Sequence, residues 1–365
     1  MKNNQSVYGS LTCILVCWFM LLPFDYWLVD PILKIVQWPF EYLYLTFDPA
    51  ALFETDTEGT FWLSVTAVAL GSFVHFLITR IWKNALITKT HFQRISSVIL
   101  SFFLIKYGWD KIILLQFYSP APNILYTNFG WLSKDIAFWS LIGSSPGLSR
   151  AIGFLELATG IFLLWPRFRF FGGFLSVFIF ASIVVINFSF DISVKQLSLA
   201  LFFWSCFLVA SYPEKWKPLL GFRSEILTLQ PIQNNVPKWM FAAYLILIVE
   251  GFSSTWTTGD FNFQNNSGPV PVSAFSINHH PLYAAVFTHP QGYVIIEYKN
   301  GKKQDFHIDN LDQFTMKNIH FKIGTLDLQS KTLILGVKKF SLSPLPIKQL
   351  PIQTKGWHYF SDSFH

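Results

Sequence analysis

Long apolar runs separated by short polar segments fill the first two thirds of the chain. Seven of them, near 8–29, 60–81, 94–117, 149–166, 168–189, 194–212 and 237–257, are long enough to cross a bilayer at about 1.5 Å per residue. A backbone in lipid has no water to bond, so these runs are expected to be helices. The pattern changes after residue 258. Asp260 to Gly268 reads as a linker. Beyond it, Gly292–Tyr298 and Gln304–Ile308 flank Lys299-Asn300-Gly301-Lys302, and Asn-Gly between β-rich runs is a strong hairpin signal. Phe321–Leu328 and Thr332–Val337 read as a second hairpin. The expected fold is an all-α polytopic membrane bundle of seven transmembrane helices, followed by a small C-terminal β-rich extramembrane domain.

Composition narrows the class. Of 365 residues, 52% are hydrophobic, 18% aromatic and only 13% charged, with a mean hydropathy of +0.39. Average soluble domains carry roughly 25% charged residues. An ordinary soluble enzyme, a disordered chain and a disulfide scaffold are excluded. The net charge of +6 does not point to nucleic acid, because the basic residues sit between apolar runs. The segments placed inside hold eleven Lys and Arg (Lys2, Arg80, Lys83, Lys89, Arg94, Arg167, Arg169, Lys215, Lys217, Arg223 and Lys238), whereas the short outer loops hold only Lys34, Lys134 and Lys195. The positive-inside rule then puts the N-terminus in the cytoplasm and, after seven crossings, the C-terminal domain in the periplasm. The first run lacks a small-residue cleavage site and reads as an uncleaved span. Segments 30–59 and 118–148 are too aromatic for solvated loops; interfacial or re-entrant caps on the outer face are expected.

Candidate chemistry is sparse. Cys13, Cys17 and Cys206 all lie in apolar runs and form no disulfide framework. Only His75 of nine histidines falls within a run, so no axial pair for a membrane haem is available. No metal, phosphate-loop or nucleophile-elbow pattern occurs. Charges inside spans are costly and point to function by default. They are Asp25, Lys106, Asp110, Lys111, Glu156 and Glu250, with Asn187 as a neutral companion, all toward the outer half. Lys106/Asp110 and Tyr107/Lys111 form two adjacent helix stripes, with Gly108 between them. A buried lysine needs a carboxylate, and Glu156 at equal depth can supply it to Lys106 or Lys111. Three readings stand: a network that locks the bundle, a site for a polar head group, ion or proton, or snorkelling of Lys111 and Asp25 to the interface. The aromatic residues Trp109, Phe129, Trp131 and Trp139 are candidates to roof such a site.

The stretch 94–212 resembles the DoxX-like membrane proteins, in the longer form seen in Bacteroidetes-type bacteria. The resemblance rests on Tyr107-Gly108-Trp109-Asp110-Lys111 with Gln116-Phe117 and the Pro120/Pro122 pair. It continues through Phe129-Gly130, Trp139, Gly143-Ser144-Ser145 and Gly153-Phe154-Leu155-Glu156, and then Gly160, Leu163-Leu164, Asn187 and Val194-Lys195. It implies a four-helix membrane core, with Lys111 and Glu156 as the family's lysine and intramembrane glutamate. Some relatives are associated with thiosulfate:quinone oxidation or thiol systems. The chain has no redox-active cysteine motif, and the usual arginine pair is Arg167-Phe168-Arg169 here.

The expected domains are two N-terminal transmembrane helices with an aromatic outer loop (1–90), a DoxX-like core (91–214), a cytoplasmic loop and last span (215–257), and a periplasmic β-rich domain (258–365). The expected function is an inner-membrane, redox-associated or binding accessory. Its outer-leaflet pocket, lined by Lys106, Tyr107, Asp110, Lys111, Glu156, Asn187, Trp131 and Trp139, would take a quinone or lipid-like head group, with quinone the candidate cofactor. The alternative is a non-enzymatic membrane scaffold or assembly factor with a periplasmic docking domain; a small-solute transporter ranks third. No catalytic residue is assigned, and catalysis is left open. The expected partners are the bilayer and a periplasmic or membrane protein, not nucleic acid.

Overall fold

The computed structural model describes residues 2–21, 56, 58–81, 87–117, 119–219, 238–253, 273–289, 292–311 and 318–347. The expectations for Asp25, most of the aromatic 30–59 loop and the 260–268 linker lie outside the described residues. Two compact units emerge: 1–113 with 151–257, and 114–150 with 258–365.

The first unit is helical. Its elements are α1 (Lys2–Leu21), α2 (Glu58–Ile81) and α3 (Lys89–Ile112). The chain passes through α4 (Pro122–Leu125), a 3-10 turn (Phe129–Trp131) and α5 (Lys134–Gly143) before α6 (Pro146–Leu164). Then come α7 (Arg169–Ser189), α8 (Lys195–Ala210), the short α9 (Pro213–Leu219) and α10 (Lys238–Gly251).

The seven-span bundle expected from the apolar runs is not what forms. Among the described residues three helices are long and apolar enough to cross a membrane: Phe61–Ile81 of α2, α6 and α7. The apolar parts of α1 (Ser6–Leu21) and α8 are shorter, and sixteen residues reach only about 24 Å of a hydrocarbon core of roughly 30 Å. Helix α10 has 14 described residues. Helix α3 is long enough but carries Lys89, Arg94, Lys106, Asp110 and Lys111. Counting apolar runs conflated helices that could face lipid with one that is buried. The orientation drawn from seven alternating crossings loses its premise with them.

Helix α3 earns its burial from its neighbours. Phe92, Phe102, Phe103 and Leu104 are fully or almost fully buried, and Phe19 of α1 meets Phe102 and Phe103 edge-on at 5.7 and 6.0 Å. Small residues let backbones approach. A Cβ on Gly71 of α2 would lie 2.4 Å from Ile14 Cα of α1, and one on Gly251 of α10 would lie 2.9 Å from Ile105 of α3. Helix α6 starts with Pro146 and ends just before Trp165-Pro166, positions where proline's fixed φ and missing N–H do least harm. Arg169, buried at the start of α7, donates from Nε to Leu163 O at 3.4 Å, so one of the two corner arginines is tied to the end of α6.

The second unit holds an eight-stranded antiparallel barrel, closed in sequence order with β8 pairing back to β1. Its strands are β1 (Ser273–Ile277), β2 (Tyr283–His289), β3 (Tyr293–Tyr298), β4 (Lys303–Leu311), β5 (Asn318–Phe321), β6 (Gly324–Asp327), β7 (Thr332–Leu335) and β8 (Lys338–Pro344). Alternation decides which side chains fill it: Phe275, Ile277, Val286, Val294, Ile296, Phe306, Ile319, Phe321, Leu326, Leu333 and Leu342 make one core. Eight strands leave an interior just wide enough for side chains to fill. The β3–β4 hairpin falls on Asn300-Gly301, with Gly301 at φ +79°. The run 321–337, expected as one hairpin, instead spans the end of β5 and all of β6 and β7, because Lys322-Ile323 is itself a turn. Closure of the barrel removes the edges that two separate hairpins would leave open.

Segment 114–150 groups with the barrel, not with the core assigned to 91–214. The outward apolar residues Ala274, Ala285, Phe287 and Ile295 are covered by Tyr126, Leu345 and Ile347. Tyr126 stacks on Phe287 at 6.2 Å, and Lys303 Nζ donates to Asn123 O and Thr127 Oγ1. The aromatic content of this segment thus partly serves the outside of a barrel.

Candidate functional site

The chemistry-bearing cluster is built where α3 crosses α6. Gly108 and Gly153 face each other: a Cβ on Gly108 would lie 2.8 Å from Gly153 O and 3.1 Å from Glu156 Cβ, and one on Gly153 would lie 2.5 Å from Gly108 O. Two turns away, Ser101 Oγ donates to Gly160 O at 2.7 Å. Gly153 and Gly160 are seven apart on α6, as Ser101 and Gly108 are on α3, so one small-residue face on each helix forms the seam.

That seam places Glu156 and Lys111. Lys111 Nζ donates to Glu156 Oε2 at 2.8 Å, with the two side chains 7% and 3% exposed. It also lies 3.4 Å from Tyr107 O and 5.7 Å from the centroid of the Tyr107 ring. Of the two lysines the sequence offered to Glu156, Lys111 is the one paired with it. Asp110, one residue away, is buried. Lys106 lies where α10 meets α3: a Cβ on Gly251 would be 3.7 Å from its backbone N, and the adjacent Glu250 is buried too.

The other expected site residues fall elsewhere. Asn187 is buried near the end of α7, and its Nδ2 donates to Ser198 Oγ at 3.1 Å and Val194 O at 3.3 Å, holding the turn into α8. Trp139 meets Phe117 at 4.9 Å in the barrel unit. Trp131 lies beside Gly301 in the β3–β4 turn, where an added Cβ would come within 3.5 Å of Trp131 Cε2. Trp109 meets Phe252 edge-on at 5.0 Å. The structure therefore brings together Tyr107, Lys111 and Glu156, with Asp110 beside them in sequence.

Sequence reasoning passed over Asp56. Its carboxylate accepts from Lys195 N at 2.8 Å and Gln196 N at 3.0 Å, capping α8 across 139 residues of chain, with Lys195 Nζ 3.8 Å away. The local residue at the cap, Val194, has no side-chain acceptor. That deficiency was the available signal, but nothing in sequence names the distant acceptor that caps the helix. No group of three or more His, Cys, Asp or Glu able to hold a metal occurs among the described residues.

No family model matches the chain, and no solved structure matches it. Among curated proteins, the "Uncharacterized protein YwoB" of Bacillus subtilis (strain 168) is 33% identical over 103 residues. The match covers 28% of this chain and 64% of that protein, just under two thirds of the relative's length.

Proposed function

We propose that the protein is a DoxX-like inner-membrane accessory whose Lys111–Glu156 pair receives the polar head of a quinone or lipid-like molecule. The carrying observation is the pair itself, buried at a glycine-lined crossing in a unit whose outward surface is apolar. Taking two charges out of water costs several kcal/mol per ion, and apolar residues of similar volume often stabilise as well or better. A pair retained under that cost is a candidate site. Its donor set suits a quinone: an ammonium can donate to a carbonyl oxygen, a carboxylate can accept from a quinol hydroxyl, and the Tyr107 ring offers an apolar face. A bound quinone would supply electron-carrying chemistry; the residues would bind and orient it.

The membrane side follows from one hairpin. Arg167 and Arg169 sit at the α6–α7 corner, which under the positive-inside rule supports a cytoplasmic corner and a periplasmic start of α6. Segment 114–150 leads into that start and packs on the barrel, so the barrel is periplasmic in this reading. A periplasm-active reporter fused after His365 should be active; a cytoplasm-active one there would reverse the assignment.

A second reading has its own support. Lys111 and Glu156 already satisfy each other at 2.8 Å, as a lock in a membrane scaffold would require. Purification of the full chain in mild detergent, with an absorption spectrum and mass spectrometry of co-extracted molecules, separates the two. Stoichiometric quinone, lost in Lys111→Met/Glu156→Gln, supports binding. An empty protein supports the scaffold.

A further inference from the structure

The barrel has two ends, and the meander sorts its turns between them. Because the strands run antiparallel in sequence order, the β1–β2, β3–β4, β5–β6 and β7–β8 turns all fall on one rim. Those turns are 278–282, 299–302, 322–323 and 336–337, and they contain no Asp or Glu. They and the first residue of β8 contribute Lys299, Lys302, Lys322 and Lys338, all exposed. Backbone bonds join neighbouring turns: Lys299 N to Leu282 O at 2.9 Å, and Gly336 N to Ile323 O at 3.3 Å.

The same rim carries apolar side chains that water does not favour. Val337 is 100% exposed, Leu282 62% and Ile323 39%. Trp131, beside Gly301 of the β3–β4 turn, is 66% exposed. These residues contribute nothing to either barrel core. At the opposite rim, the described β6–β7 turn (328–331) carries a single lysine, Lys331, near the acidic Asp327, which accepts from Gln329 N and Ser330 N at 2.9 Å each.

We infer that the lysine-bearing rim of the barrel docks on an anionic bilayer surface, with Val337, Leu282 and Ile323 entering the head-group region and the four lysines meeting lipid phosphates. Exposed apolar tips ringed by lysine and flanked by tryptophan suit an interface with an apolar interior and a negative surface. An acidic protein surface would use the lysines but would not require a valine exposed to water at a turn tip. A bilayer is also at hand, since the same chain carries helices apolar enough to cross one. This inference does not depend on the Lys111–Glu156 reading.

The test uses the full chain with Cys13, Cys17 and Cys206 replaced by Ser, reconstituted in vesicles of brominated phosphatidylcholine with or without phosphatidylglycerol. An environment-sensitive dye on Val337→Cys, attached from outside, should be quenched by the brominated chains when phosphatidylglycerol is present. Dye on Leu282→Cys, with Val337 intact, should behave alike. Dye on Gln329→Cys, at the other rim, should stay unquenched. Changing Lys299, Lys302, Lys322 and Lys338 to Gln should abolish the quenching, since each lysine near an anionic surface contributes about fivefold in occupancy. Dye at Val337 and Leu282 that stays unquenched in anionic vesicles overturns the inference. So does equal quenching in pure phosphatidylcholine, or equal quenching at Gln329.

Discussion

In the helical unit, Lys111, Glu156, Asp110 and Glu250 are buried while Phe178, Val185 and Phe203 stand exposed. In the barrel, Val286, Val294, Leu326 and Leu333 are fully buried while Lys299, Lys322 and Lys338 stand exposed. Both interiors are apolar, but among the described residues charges are buried only in the helical one. Water rewards burial of carbon and solvates charge, which is the barrel's arrangement. Lipid rewards neither, so helices there associate through close packing and polar contacts, and small residues matter most. The Gly108–Gly153 seam and the filled barrel are the two solutions side by side in sequence.

The contrast predicts where a single truncation is felt. Glu156→Ala should cost most, about 3–5 kcal/mol, because it strands the Lys111 ammonium in a buried seam. Lys111→Met combined with Glu156→Ala should recover much of that loss, because no charge is then left stranded. Thermal unfolding of the full chain in detergent reads the cycle; losses that simply add would mean that the two side chains are not coupled.

Next comes an apolar truncation made in both interiors. Leu326→Ala removes a fully buried barrel side chain and should cost about 2–5 kcal/mol, through lost transfer energy and the cavity left behind. Val185→Ala acts on a residue 65% exposed on α7 and should stay within about 0.5 kcal/mol. Comparable losses at both positions would show that the outward face of α7 is packed against protein.

The same contrast explains what the sequence disclosed. The β-rich runs 292–298 and 304–308 on either side of Asn300-Gly301 made the β3–β4 hairpin legible, since Asn-Gly between such runs favours a tight turn. Closure into eight strands was not legible: β5, β6 and β7 have only four residues each, and pairing of β8 with β1 is a non-local fact. The Lys111–Glu156 pair could be foreseen because an isolated charge in an apolar run demands a partner. The count of spans could not, because α3 and α7 are both apolar runs, yet α3 spends its length on buried packing and charges. Asp56 was invisible for the same reason as barrel closure, its partner lying 139 residues away.

A smaller effect is expected at that cap. Asp56→Ala removes the acceptor for Lys195 N and Gln196 N and should cost about 1 kcal/mol. Asp56→Asn, which keeps an acceptor oxygen, should cost less. Hydrogen exchange at the first turn of α8 is the local readout. Unchanged protection there would mean that other donors or solvent already serve those amides.

The smallest effect is a pH dependence confined to the barrel. His280 Nδ1 accepts from Leu282 N at 3.1 Å and Tyr283 N at 2.9 Å, the same two- and three-residue reach that Asp327 uses toward Gln329 and Ser330. Its ring stacks on Tyr283 at 4.5 Å. Partial burial, reinforced by the Lys338 and Lys299 cations, lowers its pKa below the ordinary 6.5. A histidine lowered in the folded state binds fewer protons there than when unfolded, so it contributes stability above pH 6.5 that is lost as pH falls below that value. His289, lowered by burial, acts in the same direction. Glu297, raised by burial above 4.5, acts in the opposite one, nearer its own titration. After correction for intrinsic rates, hydrogen exchange over 278–289 should accelerate as pH falls from 7 toward 5. His280→Asn keeps an acceptor for the two amides without the titrating ring, so the acceleration should shrink to the share left by His289. An identical pH profile in the variant would assign the whole effect to His289 and leave His280 a purely geometric turn residue.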